Sequence, residues 1–140
     1  MKVDGGVGWD LNTVGAQAAE LEEMGYSGIL SAETAHDPFL PLAFAAQQTS
    51  KVDLITGIAV AFARTPMILA NIGHDLNAAS NGRFVLGLGS QIRAHITKRF
   101  SMPWHKAAAQ MREFISAMNA IFDCWYCLLY TSPSPRDRYI

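Results

Sequence analysis

Side chains able to do chemistry gather in three short stretches and one cysteine pair. Glu33 closes the run SGILSAE, and Thr34, His36 and Asp37 follow it in the loop TAHD. His36 has the chemistry for proton transfer, because histidine exchanges protons near neutral pH. In the plain structural reading Asp37 is a helix cap and His36 a loop residue. Gly57-Ile58 interrupts the apolar run KVDLITGIAVAF, where a glycine bulge in a buried strand is expected,. Gly87, Gly89, Ser90 and Gln91 end the run RFVLGLG; the glycines ease packing, and Ser90 and Gln91 offer hydrogen-bonding groups. Cys124 and Cys127 have the C-x-x-C spacing of a redox pair,. Such a pair opens a helix, where the dipole activates a thiol, whereas this one closes an apolar helix and is not expected to be redox-active. His74 and Asp75 fall inside a helix, while Arg64 and Arg83 flank elements and Arg64 is within reach of an anionic group.

The elements that must position these residues alternate between short extended runs and amphipathic helices. The extended runs are Met1–Val7, Ser27–Glu33, Lys51–Phe62 and Arg83–Gly89. Lys51–Phe62 is nearly continuous in apolar residues, as expected for a strand covered on both faces. The first helix carries Leu11, Val14, Ala18 and Leu21 at helical spacing, with Asp10 and Asn12 to cap it and Gly25 to end it,. Asp37 and Pro38 open a second helix with Phe39, Leu42, Ala43 and Ala46 on one face,. Thr65 and Pro66 open a third, with Leu69, Ile72, Leu76 and Ala79 aligned and Asn81-Gly82 at its end. The last runs from about Lys106, with Met111, Phe114, Ile115, Met118, Phe122 and Trp125 on its buried stripe. Strands separated by helices are parallel with right-handed crossovers, so the pattern is four βα units. Both a small doubly wound sheet and part of an eight-fold βα barrel satisfy it.

Composition bounds the function. The 140 residues are 50% apolar and 16% charged, with a formal net charge of −1. That excludes a disordered chain and the electrostatic footprint of a nucleic-acid binder. Two cysteines exclude a disulfide scaffold and fit a reducing compartment,. The start MKVDGGVGWD has no apolar signal core, and no apolar run approaches the roughly 20 residues of a membrane span,. The expectation is a cytoplasmic protein with neither nucleic acid nor membrane as partner. An apolar share this high is rich for so short a chain.

The C-terminal stretch has a different origin. The eleven residues CLLYTSPSPRD, from Cys127 to Asp137, resemble one translated frame of the transposon-end adapter used in sequencing libraries. Arg138, Tyr139 and Ile140 then correspond to index sequence. Residues 127–140 are accordingly expected to be adapter read-through rather than a natural domain, and the C-x-x-C pair falls with Cys127. Without Arg136, Asp137 and Arg138 the charge is near −2.

Residues 32–49, AETAHDPFLPLAFAAQQT, and 55–104, ITGIAVAF through FSMPW, resemble the bacterial-luciferase-like oxidoreductases. Within them the chain is most similar to the subgroup that uses the deazaflavin coenzyme F420. The ordered set ETAHDPFLPLA, NGRFVLGLGS and FSMPW carries the likeness, which runs almost from Met1 to Tyr126. It implies an α/β fold, a TIM (β/α)8 barrel of which residues 1–126 form the N-terminal half. Members bind a flavin or deazaflavin across the C-terminal strand ends, where such barrels place their sites. Glu33 and Thr34 match positions where members usually carry an acid followed by His. Thr34 departs from that pattern, leaving His36 and Glu33 as the catalytic pair, with Glu33 and Thr34 also beside the cofactor. Gly57-Ile58 is implied to be a cis peptide that bulges, with Ala59, under the cofactor ring, where glycine admits a close backbone approach. Gly89, Ser90, Gln91 and His95 are implied cofactor contacts, and no metal is implied. The implied activity of the parent protein is hydride transfer to or from a small organic substrate, because a deazaflavin has carbon where a flavin has its oxygen-reactive nitrogen. The chain as written is expected to be inactive, and the parent is open to homo-oligomerisation. An FMN-dependent monooxygenase of the same family is the alternative enzyme, and a doubly wound binding domain without catalysis is the alternative of another class.

Overall fold

A computed structural model describes residues 1–130, with side-chain surroundings to Cys127. Its strands are β1 (Asp4–Gly6), β2 (Gly28–Ser31), β3 (Asp53–Thr56), β4 (Ala59–Val60), β5 (Phe84–Val85) and β6 (Leu88–Gly89). Its helices are α1 (Val14–Glu23), α2 (Phe39–Gln48), α3 (Pro66–Ala79) and α4 (Ala107–Tyr130). A 3-10 turn, Ala61–Ala63, precedes α3, and a π-helical turn, His95–Arg99, follows β6.

Every strand pair is parallel, and the main sheet runs β1-β2-β3-β5 in strict chain order. A doubly wound sheet reverses its strand order at a switch point. No reversal occurs among the described strands, so the sheet is an arc of a barrel and the doubly wound alternative is overturned. Ile29, Leu54 and Phe84 are in register and point at the helices, and Ile29 and Leu54 are fully buried there. The alternate row, Gly6, Leu30, Ile55 and Val85, faces the other side and is only partly covered. One core lies between α1, α2 and the sheet, around Ala18, Leu42, Ala45 and Val52. A second unites α3 and α4 with β4 and both turns, through Phe62, Leu69, Ile96, Phe114 and Met118.

All four expected strands are shorter or broken, the second keeping only Gly28–Ser31. The first is confined to Asp4–Gly6, since Lys2 and Val3 lie exposed outside the ladder. The run Lys51–Phe62 is interrupted by the cis peptide Gly57-Ile58, which separates β3 from β4. Ile55 pairs with Val85 but Ala59 pairs with Leu88, so four residues advance on one strand against three on the other. That one-residue slip is a β-bulge. The fourth run breaks opposite it into β5 and β6. The Thr56 hydroxyl bridges the gap, donating to the Gly87 carbonyl (2.9 Å) and accepting from the Gly87 N–H (2.8 Å).

Helix boundaries shift for local reasons. Asp10 accepts the Asn12 N–H on its carboxylate and those of Thr13 and Val14 on its carbonyl, so a turn comes first and Leu11 precedes α1. Gly25 (φ 86°) ends α1 as expected, and Asn81 and Gly82 also turn left-handed after α3,. The Asp37 carboxylate accepts from the N–H groups of Phe39 (2.8 Å) and Leu40 (3.0 Å), and Thr65 caps α3 through Ile68. Ala79 is exposed at the end of α3, and Ile115 is 45% exposed because Phe114 and Met118 take the buried stripe of α4. That helix continues past Cys127 to Tyr130, since no glycine or proline interrupts Cys127–Tyr130,. The remainder of the adapter-like stretch, 131–140, lies outside the described residues. No described helix is long and apolar enough to cross a membrane.

Candidate active site

The parallel register brings the C-terminal ends of β1, β2, β4 and β6 to one face of the sheet. Glu33 leaves β2 there with its side chain 4% exposed. One of its oxygens accepts from the Val60 N–H and from Arg64 Nη1, both at 2.7 Å; the other accepts from Arg64 Nη2 at 3.1 Å. Arg64 also donates to the Val60 carbonyl and to Asp37, and lies 5.1 Å over the Phe39 ring. Both carboxylate oxygens are thereby taken up by a guanidinium and a backbone N–H. Glu33 therefore joins β2 to β4, and its oxygens meet Val60 and Arg64 instead of His36. Arg64 spends its guanidinium on that junction, so its reach for an anionic group is corrected as well.

Among the described residues no hydrogen bond joins Glu33 to His36. The His36 ring instead stacks on the indole of Trp9 from the β1–α1 loop, at 4.0 Å between centroids and 14° between planes. Both rings are exposed. Thr34 is exposed, and its carbonyl accepts a short hydrogen bond from Arg99 of the π-helical turn. Trp9 and Arg99 were not legible as site residues. The only sequence signal for Trp9 is an aromatic just beyond the first strand.

Gly57, Ile58 and Ala59 form the bulge, with Gly57 donating to the Ser31 carbonyl (2.8 Å) and Ile58 accepting from Glu33 N–H (3.2 Å). A Cβ on Gly57 would stand 2.5 Å from Leu30 Cδ1, and one on Gly89 2.6 Å from Ile58 Cδ1. A Cβ on Gly87 would strike the Thr56 carbonyl oxygen, so that glycine serves the strand contact. Beyond β6, Gln91 adopts φ 56° and turns the chain into the π-helical turn. Its Oε1 lies 3.2 Å from His95 Nδ1, and the Ser90 hydroxyl donates to the Gln91 carbonyl (3.2 Å). Gly57, Ile58, Gly89, Ser90, Gln91 and His95 thus form one neighbourhood, and His36 with Trp9 another. Cys124 and Cys127 lie on the surface of α4, far along the chain from any helix start. Trp104 packs edge-on against Phe62, and Arg83 ties Ala46, Thr49, Val52 and Ser80 together.

A sequence profile of the luciferase-like monooxygenases matches residues 2–126. The chain belongs to that family. Over 125 residues it is 54% identical to the uncharacterized protein Rv1360 of Mycobacterium tuberculosis, covering 89% of this chain and 37% of that one. Over 105 residues it is 30% identical to Rv3520c of the same organism, whose name provisionally assigns it as a coenzyme F420-dependent oxidoreductase. There the match covers 74% of this chain and 30% of that protein. The chain thus spans 30–37% of the length of the curated relatives it matches. Among solved structures it resembles the oxygenating constituent of 3,6-diketocamphane monooxygenase from Pseudomonas putida, in complex with FMN, with TM-score 0.71 and 19% identity over 79% of this chain and 34% of that one. That likeness establishes the fold, the luciferase-like barrel of which this α/β chain covers part.

Proposed function

We propose that this chain is part of a deazaflavin-dependent oxidoreductase that moves a hydride to or from a small organic substrate. The observation that carries the reading is the Gly57-Ile58 bulge lying against Gly89 at the C-terminal strand ends. The Leu30 and Ile58 side chains fill the space that a Cβ at Gly57 or Gly89 would take, so neither position admits a side chain and the two strand ends pack closely at the bulge. Ser90, Gln91 and His95 border it with hydroxyl, amide and imidazole groups. This set suits a planar ring with a polar edge. Gly57, Ile58, Ala59 and Gly89 would support the ring, and Thr34, Ser90, Gln91 and His95 would meet its edge and side chain. When bound, F420 supplies a two-electron hydride carrier that does not activate oxygen. His36 exchanges a proton with the substrate's oxygen, while the Glu33–Arg64 pair keeps β2 and β4 aligned beneath it. The relationship to Rv3520c favours F420.

Titrating the full-length protein with F420 and with FMN tests this reading. Tight F420 binding without FMN-dependent oxygen uptake is expected. Preferential retention of FMN, with oxygen consumed on reduction, would replace it by the FMN monooxygenase reading.

A further inference from the structure

We propose that Trp9 is the positioning residue for His36, holding its imidazole in one orientation over the ends of β1 and β2. The inference rests on the proton-transfer role given to His36 above. The β2–α2 loop is pinned on both sides of His36: Arg99 holds the Thr34 carbonyl, and Asp37 is bound to the Phe39 and Leu40 N–H groups and to Arg64. The free coordinate left to His36 is rotation of its own side chain. The β1–α1 loop is pinned in the same way around Trp9. The Gly8 N–H donates to Gln17 Oε1 at 3.1 Å, and Asp10 gathers the N–H groups of Asn12, Thr13 and Val14. Val7 N–H donates to the Leu30 carbonyl, which registers one loop against the other. Two rigid loops therefore present two rings face to face, at 4.0 Å and 14°.

Such a stack is otherwise hard to account for. Trp9 is 61% exposed, so it contributes little to either core, yet an indole is costly to leave in water,. Stacking favours the imidazole rotamer that meets the indole face,. A proton-transfer group gains rate from that restraint, because a small displacement of a catalytic side chain lowers turnover steeply. Among the described residues His36 has no carboxylate partner, and Glu33 is bound to Arg64.

The test uses the full-length protein and the variants Trp9→Ala, Trp9→Phe, His36→Ala and Trp9→Ala/His36→Ala. In the first arm, without coenzyme, NMR of the imidazole protons should show His36 displaced upfield by the indole ring current. The displacement should be lost in Trp9→Ala and kept in part in Trp9→Phe. In the second arm, reduced F420 and the artificial acceptor 2-methyl-1,4-naphthoquinone are turned over. The quinone gains one hydride and one proton to become the quinol, so turnover reports proton delivery. Trp9→Ala should lower kcat about tenfold to a hundredfold with KM for the quinone little changed, and Trp9→Phe should restore most of it. In the His36→Ala background the Trp9 change should add nothing, as expected of residues acting through one another. An unmoved His36 signal in Trp9→Ala, or a kcat loss that multiplies that of His36→Ala, overturns the proposal. If His36→Ala turns over like the wild type, the proton-transfer role itself falls, and the NMR arm still decides whether Trp9 fixes the ring.

Discussion

Glu33 and Arg64 illustrate how one residue's partners decide its chemistry. Their side chains are 4% and 15% exposed, and two N–H···O contacts join them. Removing one member of such a buried pair leaves the other's charge poorly compensated, at a cost of about 3–5 kcal/mol. Arg64→Ala should lose stability on that scale in urea denaturation, whereas a base-only role for Glu33 would leave stability nearly unchanged. Glu22 offers a second case. Its carboxylate accepts from the N–H groups of Ser50, Lys51 and Val52 and from the Ser50 hydroxyl. Burial raises its pKa, but the backbone N–H groups of Val52, Lys51 and Ser50 and the Ser50 hydroxyl together outweigh it and hold the group below the ordinary value of 4.5. A folded-state pKa lower than the unfolded one stabilises the fold fully above the ordinary value, and that stabilisation is lost as pH falls through the lower one. Glu22→Gln should therefore lower the melting temperature at pH 7, and the deficit should shrink as the pH drops below 4.5. The sequence offered neither structural partnership, giving Glu33 a site role through the family resemblance and Glu22 none, because their partners lie about 30 positions away along the chain.

At the scale of elements, the bulge and its glycines carry the consequences. Gly87→Ala places a methyl group on the Thr56 carbonyl oxygen, rigid backbone that cannot rotate aside. It also endangers both bonds of the Thr56 hydroxyl. A loss of roughly 3 kcal/mol or more is expected, or failure to accumulate folded protein. Gly6→Ala is the control, since an added Cβ there finds no heavy atom within 4 Å. It should change stability by no more than about 0.5 kcal/mol. Helices were legible from periodicity and capping residues, as the Asp37 and Thr65 caps show. The break in the third and fourth strands was not legible from periodicity, because apolar residues continue through Ile58 and Leu86. A bulge changes pairing without changing hydrophobicity, and here Gly57 itself and the family resemblance were the signals for it.

For the molecule as a whole, the arc leaves two outer strands, β1 and β5, and an inner row that other chain would ordinarily cover. Val85 is 47% exposed on the inner side, and on the helix side a groove of about 330 Å³ opens between α3, β5 and α4, lined by Phe84, Leu86, Phe122 and Trp125. Unpaired strand edges flanked by apolar surface recruit other chains. Residues 1–140 expressed alone should self-associate in light scattering and bind a hydrophobic dye. A monodisperse monomer with a sharp unfolding transition would contradict this.

By itself the sequence determined the alternation of βα units, the helix faces and their caps, because these depend on residue spacing over a few turns. Through its ordered motifs it also indicated the family and the neighbourhood of Gly57, Gly89, Ser90 and Gln91. Only the tertiary structure decided the rest. Strand order separated a barrel arc from a doubly wound sheet, a choice that local periodicity does not encode. Long-range contacts bound Glu33 to Arg64 and left His36 on Trp9. Those choices turn on which groups meet across 27 to 31 residues of chain, and the folded packing alone sets that.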